Sequence, residues 1–128
     1  MTFELQFLVW SAVLAVGLAM IAVFGAMLQV GLPKLAGNRD NMPEIVGWAG
    51  RAARAHRNLL ENLILFTILV LALSRAGVSN EASRLGAQLF FYGRIAHAAI
   101  YIVGIPWVRT AAWAVSIVGL ALMLLQLR

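Results

Sequence analysis

Cysteine is absent from the chain, which excludes disulfides, a cysteine nucleophile and thiolate metal sites. Charge is scarce as well: 12% of the 128 residues are charged, against about 25% in soluble domains. No histidine and acid cluster with metal-ligand spacing occurs, and there is no nucleophile triad or glycine-rich phosphate loop. What the chain has in quantity is apolar surface, with 62% hydrophobic residues and a mean hydropathy of +0.89. A globule this small cannot hide so much, because small domains leave much of their surface exposed. Lipid is the solvent that suits it. The net charge of +5 sits at the ends of apolar stretches rather than along a solvent face. That pattern excludes nucleic-acid binding and fits sorting by a bilayer.

An all-α integral membrane four-helix bundle in one domain, residues 1–128, is predicted. The apolar stretches place helices at about 5–29, 51–74, 82–103 and 107–127, each near the about 20 residues that a crossing needs. MTFE at the start lacks the positive charge of a signal peptide, and the run after it is too long. Gly31 and Pro33 close the first helix, Gly77 with Ser79 and Asn80 makes the second turn, and Gly104-Ile105-Pro106 folds the last two helices into a hairpin. The sizeable loop is 33–50, where Pro43 followed by Glu44 looks like the first turn of a short helix. Ala15 with Ala19, and Ala22 with Ala26, have the small-residue spacing that suits close helix packing in lipid.

Lys34, Arg39, Arg51, Arg54, Arg57 and Arg109 fall on one side of these spans; Arg75, Arg84 and Arg128 fall on the other. The excess puts the loop in the cytoplasm and both termini outside it.

The densest polar feature is RAARAHRNLLEN at 51–62, which runs straight into LILFTILVLAL. A charge at mid-membrane costs roughly 2.5–3.5 kcal/mol, so charges carried into a span mark a site by default. With Arg51 at zero on a helical wheel, Asn58 falls near about −20°, Arg54 near about −60° and Glu61 near about −80°. These four line one face and reach roughly 15 Å from the loop side. Arg57 flanks that face at about −120° and can pair with Glu61 one turn on, whereas His56 points nearly opposite and reads as structural. Arg51 and Arg57 could simply snorkel to the headgroups; Asn58 and Glu61 are too short and too deep to do so.

On the third span Arg94, His97 and Tyr101 again share one face. Arg94 lies at a depth similar to Glu61, so an Arg94–Glu61 ion pair is the simplest expectation. His97 alone reads as a satisfied interior histidine, and Tyr101 could belong to an aromatic belt with Trp107. Arg109 and Thr110 open the fourth span. Arginine forks bind carboxylates bidentately and Glu61 could accept an ammonium. The pocket therefore suits a small zwitterion with more than one carboxylate, between walls that admit an apolar partner.

R-x-x-R-A-H-R-N-x-x-E-N at 51–62, G-R-I-A-H-x-x-x-Y at 93–101 and Arg109-Thr110 together resemble the membrane-associated proteins in eicosanoid and glutathione metabolism. This family includes microsomal glutathione transferases and prostaglandin E synthase, and the resemblance spans the whole chain. It implies a homotrimer with glutathione, as co-substrate, bound between neighbouring subunits on the cytoplasmic side, and an apolar or lipid second substrate. By the same resemblance Arg51, Arg54, Arg57, Asn58, Glu61 and Arg94 hold glutathione, with Lys34 as a further candidate; Asp40, by its position in the loop alone, is a candidate to orient Arg109. Arg109, Thr110 and Tyr101 form the catalytic group, with Arg109 stabilising the thiolate. Many eukaryotic members carry an acid after the motif asparagine; Leu59 stands there. The short loops and lack of cysteine resemble bacterial members, which implies a bacterial inner membrane. The function implied is a glutathione transferase or peroxidase. The alternatives are a non-catalytic lipid-binding scaffold of the same family, and a small transporter or proton relay built on Glu61, Arg94 and His97.

Overall fold

The structure, a computed structural model, describes residues 1–128 and is all-helical: α1 (Phe3–Val30), α2 (Leu32–Ala36), α3 (Gly47–Ala76), α4 (Glu81–Val103) and α5 (Pro106–Leu125). Its helix ends follow from local chemistry. Thr2 caps α1 by accepting from the Leu5 amide at 3.2 Å. Asn80 and Ser83 form a reciprocal capping box at the start of α4, with bonds of 2.8 and 2.9 Å. Gly77 (φ 71°) and Gly104 (φ 98°) close α3 and α4 in the left-handed region, where a side chain is disfavoured.

The long helices lie within a few residues of their expected positions. The loop does not. Its one short helix is α2, directly after Gly31, and residues 42–46 are irregular where a helical first turn at Pro43 was expected. The cause is a pair of bonds from α1. Gln29 Nε2 donates to the Val46 carbonyl at 2.7 Å, and the Val46 amide donates to Gln29 Oε1 at 3.0 Å. Val46 is thereby held extended, and α3 starts at Gly47 rather than at Arg51.

The most extensive packing joins α4 to α5, and glycine permits it. A Cβ on Gly86 would lie 2.6 Å from the Gly119 carbonyl oxygen, and one on Gly119 would lie 2.5 Å from that of Gly86. On α1 the close approach falls at Gly25, where a Cβ would lie 2.5 Å from that of Ala49. Of the alanines expected to pack, Ala15 and Ala26 are buried, while Ala19 and Ala22 are half-exposed. Phe66 of α3 stacks on Phe90 of α4 (centroids 4.1 Å apart) in a core completed by Val70, Leu73, Ala87, Leu120 and Met123.

Only 27 of the 128 residues are buried, so most apolar side chains have no cover within the chain. Helices α1, α3 and α5 are long and apolar enough to cross a membrane. The 23 residues of α4 match them in length. Its hydropathy is lowered by Arg94 and His97, both turned inward and buried.

Candidate functional site

The polar stripe of α3 meets α4 and α5 at the end of the molecule where α4 closes and α5 begins. There Asn58, His97, Tyr101, Arg109, Thr110 and Trp113 line an open hollow of about 220 Å³. Pro106 starts α5 with a preset backbone, which places Arg109 and Thr110 in its first turns, facing Tyr101 across the Gly104 bend. The Arg109 guanidinium carbon lies 4.4 Å from the centre of the Tyr101 ring, and the ring face attracts the cation. Tyr101 is thus a platform for Arg109, while Trp107 is the residue exposed to the surroundings, at 85%. His97 packs edge-on to Tyr101 with centroids 5.5 Å apart. Thr110 Oγ1 donates back to the Pro106 carbonyl at 3.3 Å, which leaves its lone pairs toward the hollow.

Behind this lining sits Arg94, 1% exposed. The ion pair expected with Glu61 does not form. Nη2 of Arg94 donates instead to Asn58 Oδ1 at 2.6 Å, and its Nε and Nη1 are buried without a partner. Glu61 is exposed; it lies three residues beyond Asn58, turned farther around α3 than the face that meets α4. His97 is 3% exposed and its Nδ1 also lacks a partner, so it is not the satisfied interior histidine that its isolation suggested. Its spacing between Arg94 and Tyr101 was the available signal. Trp113, one turn on from Arg109, carried none.

Other site candidates fall elsewhere. Arg51 Nε donates to the Ile102 carbonyl at 2.8 Å, clamping the end of α4. Arg54, His56 and Arg57 face the α1 side of α3, where they line a hollow of about 520 Å³ together with Arg39 and Glu44. His56 therefore stands with the arginines. Lys34 and Asp40 share a separate hollow beside α2, so within one chain neither joins Tyr101 and Arg109. Groups with the spacing of a metal site are absent.

No curated protein and no solved structure matches the chain. The family comparison is positive and nearly complete in length. With an all-helical fold, three apolar helices and an arginine-lined hollow at one end, residues 7–128 match the MAPEG family, and the protein is a member of that family.

Proposed function

We propose that the protein is a glutathione-dependent membrane enzyme, a transferase acting on apolar electrophiles or a peroxidase acting on lipid hydroperoxides. The observation that carries this reading is Arg109, held 4.4 Å over the Tyr101 ring at the rim of the hollow. A guanidinium seated on a ring face, rather than on a carboxylate, keeps its charge for an incoming anion. Beside a thiol it favours the thiolate, which is the nucleophile. Asn58 and Thr110 supply polar contacts around the sulfur, and the Tyr101 hydroxyl can give a proton to the oxygen that leaves. Thiolate attack on an electrophilic carbon forms the thioether, either expelling a leaving group with its bonding pair or breaking an activated C=C bond whose other carbon then takes a proton. Attack on the distal oxygen of a hydroperoxide releases an alcohol and a sulfenic acid, which a second glutathione converts to disulfide and water.

The second hollow supports the rest of the ligand and the assembly. Arg54 and Arg57 suit the carboxylates of glutathione, yet one chain divides them from Arg109 across α3; Glu61, exposed on α3 and lining neither hollow, suits the ammonium. Members of this family form trimers. In a homotrimer of four-helix bundles the α1 side of one subunit would complete the α4–α5 side of the next, and Lys34 would reach the site from a neighbour. The arginine excess favours a cytoplasmic position for this end and an outside position for both termini, in a bacterial inner membrane.

Ultraviolet absorbance of the thiolate tests the reading in detergent-purified protein titrated with glutathione at neutral pH. A thiolate signal is expected, and Arg109→Ala should abolish it. A free thiol with a pKa near 8.5 is about 3% ionised at pH 7, so conjugation should fall by up to ~30-fold. That loss should shrink as pH rises past ~8.5, where the thiol ionises unaided. Binding without ionisation would move the protein to the non-catalytic, substrate-presenting reading.

A further inference from the structure

We infer that Arg94 is a positioning residue that acts through Asn58, fixing which end of the Asn58 carboxamide meets the ligand and so making the hollow selective for hydrogen-bond acceptors. The inference rests on the glutathione reading above and replaces direct contact of Arg94 with the ligand. Arg94 is buried and does not line the hollow, whereas Asn58 does. Their 2.6 Å bond occupies Asn58 Oδ1, and Asn62 Nδ2 reaches the same oxygen at 3.4 Å while donating to the Asn58 carbonyl at 2.8 Å. With its oxygen held from behind, the amide turns its two N–H donors toward the hollow. The flipped amide would set Nδ2 against a guanidinium, donor against donor. Arg94 has no other protein acceptor, since Nε and Nη1 are unpartnered. A group that binds through Asn58 must therefore accept hydrogen bonds, as a carboxylate, carbonyl or thiolate does, and one that only donates is rejected.

A double-mutant cycle decides whether Arg94 acts through Asn58. Glutathione binding would be measured by calorimetry for the wild type, Arg94→Met, Asn58→Ala and the double variant. Each single change is expected to weaken binding about tenfold, the effect of losing one charge-assisted contact. The double variant should bind no worse than Asn58→Ala alone. Arg94→Met should melt no lower than the wild type, because Arg94 is buried without a counter-charge and with Nε and Nη1 unpartnered, so an apolar side chain of similar bulk removes a desolvation cost that the chain does not offset. A purely structural Arg94 would lower the melting temperature instead. Asn58→Asp is a second, independent variant: it keeps a partner for Arg94 but presents an acceptor to the hollow, so it should bind more weakly than Asn58→Ala. Additive losses in the cycle, or Asn58→Asp binding as well as Asn58→Ala, would overturn the inference and leave the glutathione reading standing. Failure of the wild type to bind glutathione would remove both.

Discussion

The two ends of the molecule treat buried polar groups in opposite ways. Where α1 begins, Glu4 is 1% exposed yet fully engaged. Ser83 Oγ donates to its carboxylate at 2.6 Å and Ser79 Oγ at 3.0 Å, while Arg84 Nε reaches Ser79 Oγ at 3.4 Å. Asn80 caps α4 there and also donates to Gln126 at 3.1 Å, tying in the end of α5. At the other end, Arg94 and His97 are buried as deeply but keep three nitrogens without a protein partner. A native interior satisfies nearly all such groups. A satisfied buried acid is a fastening, whereas the buried Arg94 spends its single bond on Asn58, a residue that lines the hollow.

The contrast collapses most completely if the seam that runs between the ends is opened. Gly119→Leu should prevent α4 and α5 from meeting at Gly86, and the product should elute as aggregate in size-exclusion chromatography. Glu4→Leu, at the fastened end, should lower stability by ~2 kcal/mol in a denaturant titration, because the buried Ser83 hydroxyl loses its charged acceptor and the exposed Ser79 hydroxyl loses a weaker one. Asn80→Ala should remove the capping box for ~1 kcal/mol in the same titration. Arg94→Met should change stability least of all, or raise it slightly, although it is as buried as Glu4. Were Arg94→Met to cost as much as Glu4→Leu, the two ends would be alike and the distinction drawn between them would fail.

Much of the helical layout was legible because apolar stretches and their glycine and proline stops are local signals. The third long helix was found despite its modest hydropathy, because its apolar stretch is bounded by Ser79-Asn80 and by Gly104-Ile105-Pro106. What periodicity could not supply was the partner across an interface. A wheel assigns a direction to Arg94 and to Glu61, but not the helix each one meets; a turn of about 100° per residue carries Glu61 past the α4 contact that Asn58 makes. The same limit split the stripe, sending Arg54 and Arg57 to the α1 side. It also hid the short helix α2, whose neighbourhood is set by Gln29 reaching Val46 across the loop. The α4–α5 hairpin was expected, but its glycine contact was not, because Gly86 and Gly119 belong to different stretches and only the fold brings them face to face.

The glycine contact has a kinematic consequence. With backbones pressed together at Gly86 and Gly119, α4 and α5 cannot slide past one another and must travel as one blade. Tyr101, Arg109 and Thr110 ride on that blade, whereas Asn58 rides on α3, which touches it much less. Any widening of the slit is then a swing of α3 against the blade. Two hydrogen bonds latch that swing, Arg51 to the Ile102 carbonyl and Arg94 to Asn58. Arg51→Ala should accordingly show itself in residence time, as faster release of a bound ligand.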